Sequence, residues 1–252
     1  ECLRFFHEHY QYLASKRGSK ALDGDGRLII YPGSGCETYK MAYNPSSTIA
    51  ALRAVSERLS LIALDSSLLS PHASLPDIPL RVLDGDTCIA PAVAWARIQN
   101  EETPQLYPVW PWRIYGLGRP GLAIARNTYQ KDPHATAMHS AKGWKQDNIW
   151  AACLGLTDEA CRLNSAKLAN GPYRFTAFWE PGFDWAPDHN RGGAGMIGLQ
   201  EMLLQETPDG KPLLFPAWPR DWNCRFRLYT LDGRQIEAEI RNGEITSVNH
   251  RN

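Results

Sequence analysis

The sequence predicts a mainly α-helical fold followed by a small antiparallel β-domain. Over the first 207 residues, apolar side chains recur every three or four positions in several segments, which is typical of amphipathic helices. Long Pro- and Gly-rich loops carrying Trp, Asn, Asp and Glu separate these segments, whereas helix bundles usually have short loops. We therefore expect a toroid of helical hairpins whose loops form a cleft, with domains at residues 1–207 and 208–252.

The helices of the first domain are predicted from their apolar faces and capping residues. Residues 1–17 place apolar side chains such as Leu3 and Tyr10 on one face. The clearest helix spans residues 46–64, where Ser46 can act as a cap and an apolar stripe follows. Five further helices are expected at residues 90–99, 122–130, 144–154, 158–168 and 194–205.

The hydrophobic pattern changes after residue 205 to that of short strands. Ile236, Ala238 and Ile240 alternate with charged residues, as in a half-buried strand. Asp232-Gly233 and Asn242-Gly243 have the residue types that tight hairpin turns require. The strands are predicted at residues 213–215, 224–231, 235–241 and 244–249.

Composition excludes some classes of partner and leaves others open. Lys and Arg number 27 and Asp and Glu also number 27, so no net field attracts nucleic acid or an anionic membrane. No apolar run approaches the roughly 18 residues of a membrane helix, which predicts no membrane insertion. Nine Trp and ten Tyr residues suit a packed core, but flat rings also stack on the apolar face of a sugar.

Cysteine and histidine spacing predicts no metal site and no cofactor. The six cysteines form no CxxC pair, and we expect packed free thiols, Cys36 included, although the even number permits disulfides. His134 and His139 are five positions apart, a spacing that does not place two side chains on the same face of a helix. The GLGRPG stretch at residues 116–121 follows no predicted strand and is interpreted as a turn.

The start of the chain predicts that it is part of a larger protein. The sequence opens within a helix that has no cap, and it has neither an initiator Met nor a signal peptide. The compartment is therefore left open.

Two carboxylates are candidates for catalysis. An extended piece at residues 28–31 leads into YPGSGCETYK, which places Glu37 after a Gly-containing loop; the alternative is a helix-start glutamate that favours the helix dipole. Asp188, His189 and Asn190 precede a Gly-rich helix start whose backbone can approach a ligand closely. The alternative there is an N-cap provided by Asp188 or Asn190.

A third candidate region is aromatic. Trp110, Trp112 and Arg113 follow one another closely and form either a platform for a sugar or a buried aromatic turn with Arg113 paired to an acid.

Five segments, in one collinear order, resemble glycoside hydrolase family 95, the inverting α-L-fucosidases and α-L-galactosidases. DHNRGGAGMIGLQEMLLQ resembles the D-G-N-x-G-G…EMLLQ segment of that family, and PGSGCETYK resembles its P-S-x-S-P-E-N stretch. QLYPVWPW stands where the family has Leu-Tyr-Gly-Leu-Phe-Pro. GWKQDNIWAACLGLTDEA is similar to a helix pair of the family, and KPLLFPAWPRDW to the opening of its last β-domain.

The resemblance implies the second half of an (α/α)6 barrel followed by the β-domain, and it implies a carbohydrate substrate. Glu37 would be the general acid and Asp188 the base of an inverting pair, which in such enzymes stands about 6.5–9.5 Å apart. Asn190 would hold the Asp188 loop or a sugar hydroxyl, and His189 and Trp144 would line the substrate site. Secretion or a periplasmic location is also implied.

Two departures from the family pattern affect the expected activity. Glu101 and Glu102 stand where the family has the Arg-His pair that grips the sugar, and an ionised carboxylate only accepts hydrogen bonds. This departure favours a different glycoside over a fucoside, and the expected reaction is release of a terminal fucose- or galactose-like sugar from an oligo- or polysaccharide. The asparagines that orient the nucleophilic water lie upstream in the family, so this chain is expected to be inactive or nearly so alone.

Two alternatives stay open from the sequence. One is a polysaccharide lyase or another helical-toroid enzyme with a different base, which would release an unsaturated product. The other is a carbohydrate-binding module without catalytic activity, which would keep the aromatic platform.

Overall fold

The computed structural model describes residues 1–62, 74–170 and 188–251. Within these residues it contains seven α-helices, ten β-strands and one short 3-10 helix. The α-helices are α1 Cys2–Lys16, α2 Ser46–Ile62, α3 Leu122–Lys131, α4 Pro133–Met138, α5 Asp147–Cys153, α6 Thr157–Leu168 and α7 His189–Leu203. The strands are β1 Gly33–Gly35, β2 Tyr39–Ala42, β3 Leu80–Leu83, β4 Asp86–Ile89, β5 Arg97–Ile98, β6 Leu204–Glu206, β7 Pro212–Leu214, β8 Cys224–Tyr229, β9 Gln235–Arg241 and β10 Glu244–Arg251.

This architecture is mixed α and β, so the prediction of a mainly α fold, the second half of an (α/α)6 barrel, is wrong. The strands form four small antiparallel sheets, ordered β1-β2-β5, β3-β4, β6-β7 and β10-β9-β8. Seven of the ten strands have only two to four residues. Strands this short carry too few side chains to show the alternation from which strands are predicted.

The helix predicted at residues 90–99 is one source of the error. In the structure this segment is extended, because Val93 N donates to Tyr43 O and Tyr43 N donates to Ala94 O, both with N–O distances near 2.8–2.9 Å. Its end forms β5, which pairs with β2. The segment therefore runs along the edge of a sheet, and it leaves Val93 and Ile98 exposed. The extended piece predicted at residues 28–31 contributes one isolated bridge, Leu22 to Leu28.

The chain divides into two compact units, which are described separately. The first unit comprises Glu1–Ile114 and Ala123–Met138, and the second comprises Tyr115–Leu122 and His139–Asn252. The three-stranded sheet of β8, β9 and β10 belongs to the same unit as α5, α6 and α7. The boundary predicted between residues 207 and 208 stays a prediction. No described helix is both long enough and apolar enough to cross a membrane.

The first unit is built around α1, α2 and two small sheets. Asp84 and Gly85 connect β3 to β4, and both have positive φ angles, +48° and +82°. Two central residues with positive φ form a two-residue hairpin turn, whose twist matches that of the flanking strands. The Asp-Gly pair was thus a hairpin signal in the sequence. Fully or almost fully buried apolar side chains of this unit include Leu28, Ile30, Tyr39, Ile49, Ile89 and Leu106.

Asp132 is fully buried, and its carboxylate forms an ion pair and hydrogen bonds with several residues of the first unit. Its carboxylate forms an ion pair with Arg81 and accepts a hydrogen bond from Gln105 Nε2 at 2.8 Å. The backbone N–H groups of His134 and Ala135 also donate to Asp132 Oδ1, at 3.0 and 2.9 Å. These bonds satisfy the amino end of α4, which would otherwise leave buried donors without acceptors. Asp132 therefore fixes the position of His134.

The second unit packs α5, α6 and α7 against one another. Gly198 of α7 lies so close to its neighbours that an added Cβ would meet Asn148 Nδ2 at 2.2 Å and Asn164 Oδ1 at 2.4 Å. Asn148 Nδ2 donates to Asn164 Oδ1 at 3.0 Å and to Ala194 O at 2.7 Å. A glycine at position 198 thus provides the space for a buried amide pair that joins three helices.

The β-meander at the end of the second unit follows its predicted strands closely. β9 spans the predicted residues 235–241, and β8 and β10 pair with it on either side. Asn242 and Gly243 both have positive φ, as a two-residue hairpin turn requires. In the other turn only Gly233 has positive φ, and Thr230 N donates to Arg234 O across a longer loop. The buried side chains of this sheet include Phe226, Ile236, Ala238 and Ile240.

Candidate functional site

Glu37 lies at the tip of the turn between β1 and β2. The register pairs Gly35 with Tyr39, and Thr38 N donates to Gly35 O at 3.2 Å, which closes a turn of three residues. Cys36 has a φ of +49°, a conformation that helps the chain reverse direction within so few residues. Glu37 is consequently exposed rather than at a helix start, so the helix-dipole alternative does not apply to it.

The segment Asn100–Glu102 forms two hydrogen bonds with Glu37. Asn100 Nδ2 donates to Glu37 Oε2 at 3.0 Å, and Glu37 N donates to Glu102 Oε2 at 2.6 Å. The backbone of that segment is fixed in turn, because a ring nitrogen of His134, Nε2, lies 3.1 Å from Glu102 O. The Glu37 carboxylate is therefore both accessible and oriented.

Cys36 is a protonated thiol in this environment. Burial raises the pKa of Cys36 to about 11, and the charge of Glu102 acts in the same direction. Hydrogen bonds with Tyr107 and Ser47 oppose this shift without cancelling it. A thiol with this pKa is a poor nucleophile near neutral pH, which supports a packing role. None of the six cysteines, all within the described residues, forms a disulfide.

Aromatic rings lie beside the Glu37 turn. The Tyr39 ring packs edge-on against Trp95, with centroids 5.1 Å apart, and against His134, with centroids 5.5 Å apart. Burial raises the pKa of Tyr39, so its hydroxyl stays neutral. Tyr39 is buried, whereas Trp95 is half-buried and presents part of its ring to solvent.

Trp110, Trp112 and Arg113 follow the 3-10 helix Pro104–Leu106 in the same unit. Their backbone is held by bonds such as Trp112 N to Tyr107 O, at 3.3 Å, and Arg113 has a φ of +54°. All three side chains are half-buried. Both the platform and the buried-turn interpretations are compatible with this burial.

Asp188 belongs to the second unit and caps α7. Its Oδ1 accepts a hydrogen bond from Asn190 N at 2.9 Å, and the residue is 3% exposed. The helix begins at His189, five residues earlier than the predicted start at 194. His189 and Asn190 are exposed on its first turn. The capping interpretation of Asp188 is thus confirmed, and a second role for the same carboxylate is compatible with it.

Trp144, the remaining predicted substrate residue, lies just before α5. It is half-buried, and Lys145 Nζ stands 5.4 Å from the centroid of its ring. The EPGFDWAP stretch, which was predicted as a loop in front of Asp188, lies outside the described residues.

Several residues with polar or aromatic contacts to these sites were missed from the sequence. In the first unit they are Asn100 and Trp95, together with His134, which was considered only as a metal ligand. The polar QNEE stretch around Asn100 was a signal for the first of these. In the second unit the missed residue is a buried lysine, Lys167, because a lysine within a helical pattern gives no signal that it is buried.

Lys167 is fully buried, and burial lowers its pKa from an ordinary value of 10.5 to about 8. The nearby Arg191 also lowers it, whereas Asp147 and Asp188 raise it. Glu37 and Asp188, the predicted catalytic pair, belong to different units. Among the described residues, no three His, Cys, Asp or Glu side chains come together as a metal site.

Comparisons with known proteins give no family assignment. No protein-family model matches the chain, and no curated protein matches it either.

Proposed function

We propose that the chain belongs to an inverting glycoside hydrolase resembling family 95, in which Glu37 is the general acid and Asp188 the general base. The observation that carries the proposal is the position of Glu37. Its carboxyl group is exposed at the tip of a turn and is oriented by Asn100. Glycoside hydrolysis needs such a group to protonate the leaving oxygen.

The unit that contains Glu37 has features that suit a sugar. Half-buried Trp95, Trp110 and Trp112 offer flat apolar surface within the same unit, and sugar rings stack on such surfaces. Asn100 and Glu102 offer a hydrogen-bond donor and an acceptor within the same turn of chain. This combination of flat rings and fixed polar groups is what recognition of a polyhydroxylated substrate requires.

The base role assigned to Asp188 is supported by its fixed geometry and by the match to the family segment. One carboxylate oxygen accepts a hydrogen bond from Asn190 N, and we assign the other to accept a proton from water. Inversion needs a single displacement, with water activated on the sugar face opposite to the acid. Asn190, exposed on the same helical turn, is assigned to hold a sugar hydroxyl.

The carboxylates at positions 101 and 102 distinguish this site from one specific for fucose. Glu102 accepts a hydrogen bond from the backbone of Glu37, so its negative charge faces the turn on which the acid lies. A carboxylate accepts hydrogen bonds from hydroxyl groups, whereas the Arg-His pair of the family donates them. We therefore propose that a terminal sugar other than fucose is released.

All kinetic tests use the full-length protein, because this chain alone is expected to be inactive or nearly so. The first test is Glu37→Gln and Asp188→Asn, each assayed against a panel of aryl glycosides. Each variant is expected to lose at least about 1,000-fold in kcat with its thermal unfolding midpoint unchanged. Glu57→Gln and Asp209→Asn, at exposed positions of the two units, are the matched controls and should hydrolyse normally. Nuclear magnetic resonance of the first product formed should show an inverted anomeric centre.

Three outcomes would overturn the proposal. Near-normal hydrolysis by either variant would remove its residue from the mechanism. A product absorbing in the ultraviolet would identify a lyase. Binding of oligosaccharides without turnover by the full-length, unsubstituted protein would identify a binding module.

A further inference from the structure

His134 has no role in the mechanism above, although two hydrogen bonds fix its position. Its backbone N donates to Asp132 Oδ1 at 3.0 Å, and its ring Nε2 lies 3.1 Å from Glu102 O. A carbonyl oxygen only accepts hydrogen bonds, so Nε2 carries a proton and is the donor. The ring also packs edge-on against buried Tyr39, with centroids 5.5 Å apart. The imidazole is therefore held in place with its N–H directed at Glu102 O.

The carboxylate of Asp132 is the fixed point behind this contact. It is fully buried and forms an ion pair with Arg81. Its Oδ1 also accepts a hydrogen bond from Gln105 Nε2 at 2.8 Å, and Gln105 lies in the 3-10 helix that follows Glu102. A buried carboxylate with several partners resists displacement, because breaking any of its bonds leaves a polar group unsatisfied. Asp132 thus joins the start of α4 to the chain just after Glu102.

Glu102 links the His134 ring to the turn on which Glu37 lies. Its backbone O accepts a hydrogen bond from His134, and its Oε2 accepts one from Glu37 N at 2.6 Å. Next to this turn, Gln99 N donates to Thr38 O at 3.0 Å. These bonds place the backbone of Glu37 rather than its carboxyl group. The position of the proposed acid therefore depends on where Glu102 is held.

We propose that His134 is a positioning residue for Glu37 and acts through Glu102. The inference rests on the proposed function, because it concerns the acid of that reaction. Without the N–H of His134, the carbonyl of Glu102 loses the hydrogen bond that fixes it, and the turn bound to the Glu102 side chain moves with it. A displacement of about 1 Å at a reacting group costs up to about 100-fold in rate.

Two substitutions separate the hydrogen bond of His134 from the packing of its ring. His134→Phe keeps an aromatic ring beside Tyr39 and removes the donor, whereas His134→Gln removes the ring and keeps an N–H donor of similar reach. In the full-length protein we expect kcat to fall about 10- to 100-fold in His134→Phe and less than about threefold in His134→Gln, with little change in KM. His250→Phe, at an exposed position, is the matched control and should hydrolyse normally.

The dependence on the leaving group distinguishes a misplaced acid from general damage to the structure. A dinitrophenyl glycoside needs little protonation of its leaving oxygen, whereas an alkyl glycoside of the same sugar depends on it. The loss in His134→Phe should therefore be about tenfold larger with the alkyl glycoside than with the dinitrophenyl glycoside. General structural damage would lower both rates by the same factor.

A second readout does not depend on activity. The backbone amide of Glu37 donates to Glu102 Oε2, so its hydrogen exchange should be faster in His134→Phe and nearly unchanged in His134→Gln. His134→Leu also lacks the donor and replaces the Phe variant if that variant does not fold.

Three results would overturn the proposed role of His134. These are a normal kcat in His134→Phe, an equal loss with both leaving groups, and a larger loss in His134→Gln than in His134→Phe. Near-normal turnover of the alkyl glycoside by Glu37→Gln would instead overturn the proposed function, so the two failures are distinguishable.

Discussion

Asn100 donates a hydrogen bond to Glu37 at 3.0 Å, across a sequence separation of 63 positions. Both residues lie at the surface of the first unit, on loops that the pairing of β2 with β5 brings together. A surface hydrogen bond contributes little to the free energy of unfolding. Its consequence is orientation, because it restricts the rotamers of a carboxyl group that is otherwise mobile.

Because Asn100 orients Glu37, Asn100→Ala is predicted to lower kcat and to leave the thermal stability of the protein almost unchanged. We expect kcat to fall about tenfold, because a freely rotating acid reaches the leaving oxygen less often. The thermal unfolding midpoint should change by less than about 2 °C, since the bond is exposed. Steady-state kinetics and calorimetry measure the two quantities, with Asn249→Ala as an exposed control. A large drop in the midpoint with normal kcat would show that the bond is structural.

The capping role of Asp188 and its proposed role as the base can be separated by substitution. Asn caps helices about as well as Asp, so Asp188→Asn should retain the bond to Asn190 N and the stability of α7. Asp188→Ala removes the cap and should lower the free energy of unfolding by about 1 kcal/mol. Denaturant unfolding of the two variants provides the measurement. If both variants are equally destabilised, the charge rather than the cap stabilises the helix.

The helices were predictable where apolar periodicity extends over three or more turns. α1, α2, α3 and α6 begin and end within two residues of their predicted bounds, apart from the predicted end of α2, which lies outside the described residues. α4 was not predicted, and α5 begins three residues after its predicted start. α7 begins five residues before its predicted start, which fell among Gly192, Gly193 and Gly195. Those glycines lie within the helix, and an added Cβ at Gly195 would meet Leu168 at 2.9 Å. Close packing explains that glycine better than backbone flexibility does.

The small sheets of the first unit were not predictable in the same way. β1, β2 and β5 pair across loops, and strands of two to four residues show no period. In this unit the Asp84-Gly85 pair has the residue types that are typical of a hairpin turn. Glu37 and Asp188 were selected from segments that resemble a family, whereas Asn100 became a candidate only through its contact with Glu37. A single polar residue in a loop gives no periodic signal.

The depressed pKa of Lys167 predicts a specific dependence of stability on pH. Its pKa is about 8 in the folded protein and 10.5 in the unfolded chain, so between these values the unfolded chain binds the proton more tightly. The contribution of Lys167 to the free energy of unfolding therefore rises with pH from about 8 to 10.5, by about 3 kcal/mol in total. Tyrosines and cysteines also titrate at alkaline pH. The effect of Lys167 is therefore measured as the difference in free energy of unfolding between the protein with this lysine and the protein without it.

The comparison is between the unmodified protein and Lys167→Met, by denaturant unfolding at intervals from pH 7 to pH 10.5. At pH 7 the Met variant should be the more stable of the two, because it lacks the cost of a buried charge. The difference should shrink as the pH rises. A constant difference across this range would mean that Lys167 keeps an ordinary pKa in the folded protein.

Two glycines of α7 provide a matched pair that tests the packing of the second unit. Gly198 faces Asn148 and Asn164, and an alanine there would push a methyl group into both amides. Gly193 lies in the same helix, and no atom of the described residues lies within 4 Å of an added Cβ. Gly198→Ala should lower the free energy of unfolding by about 2–4 kcal/mol, through overpacking and the loss of the Asn148–Asn164 hydrogen bond.

Gly193→Ala should instead raise the free energy of unfolding by about 0.5–1 kcal/mol, because alanine restricts the unfolded chain and favours the helix. Denaturant unfolding of both variants gives the two values under identical conditions. Opposite signs are expected because the two positions share a helix and differ in what faces them. Equal destabilisation by both substitutions would show that α7 is not helical at Gly193, which would also remove the capping role of Asp188.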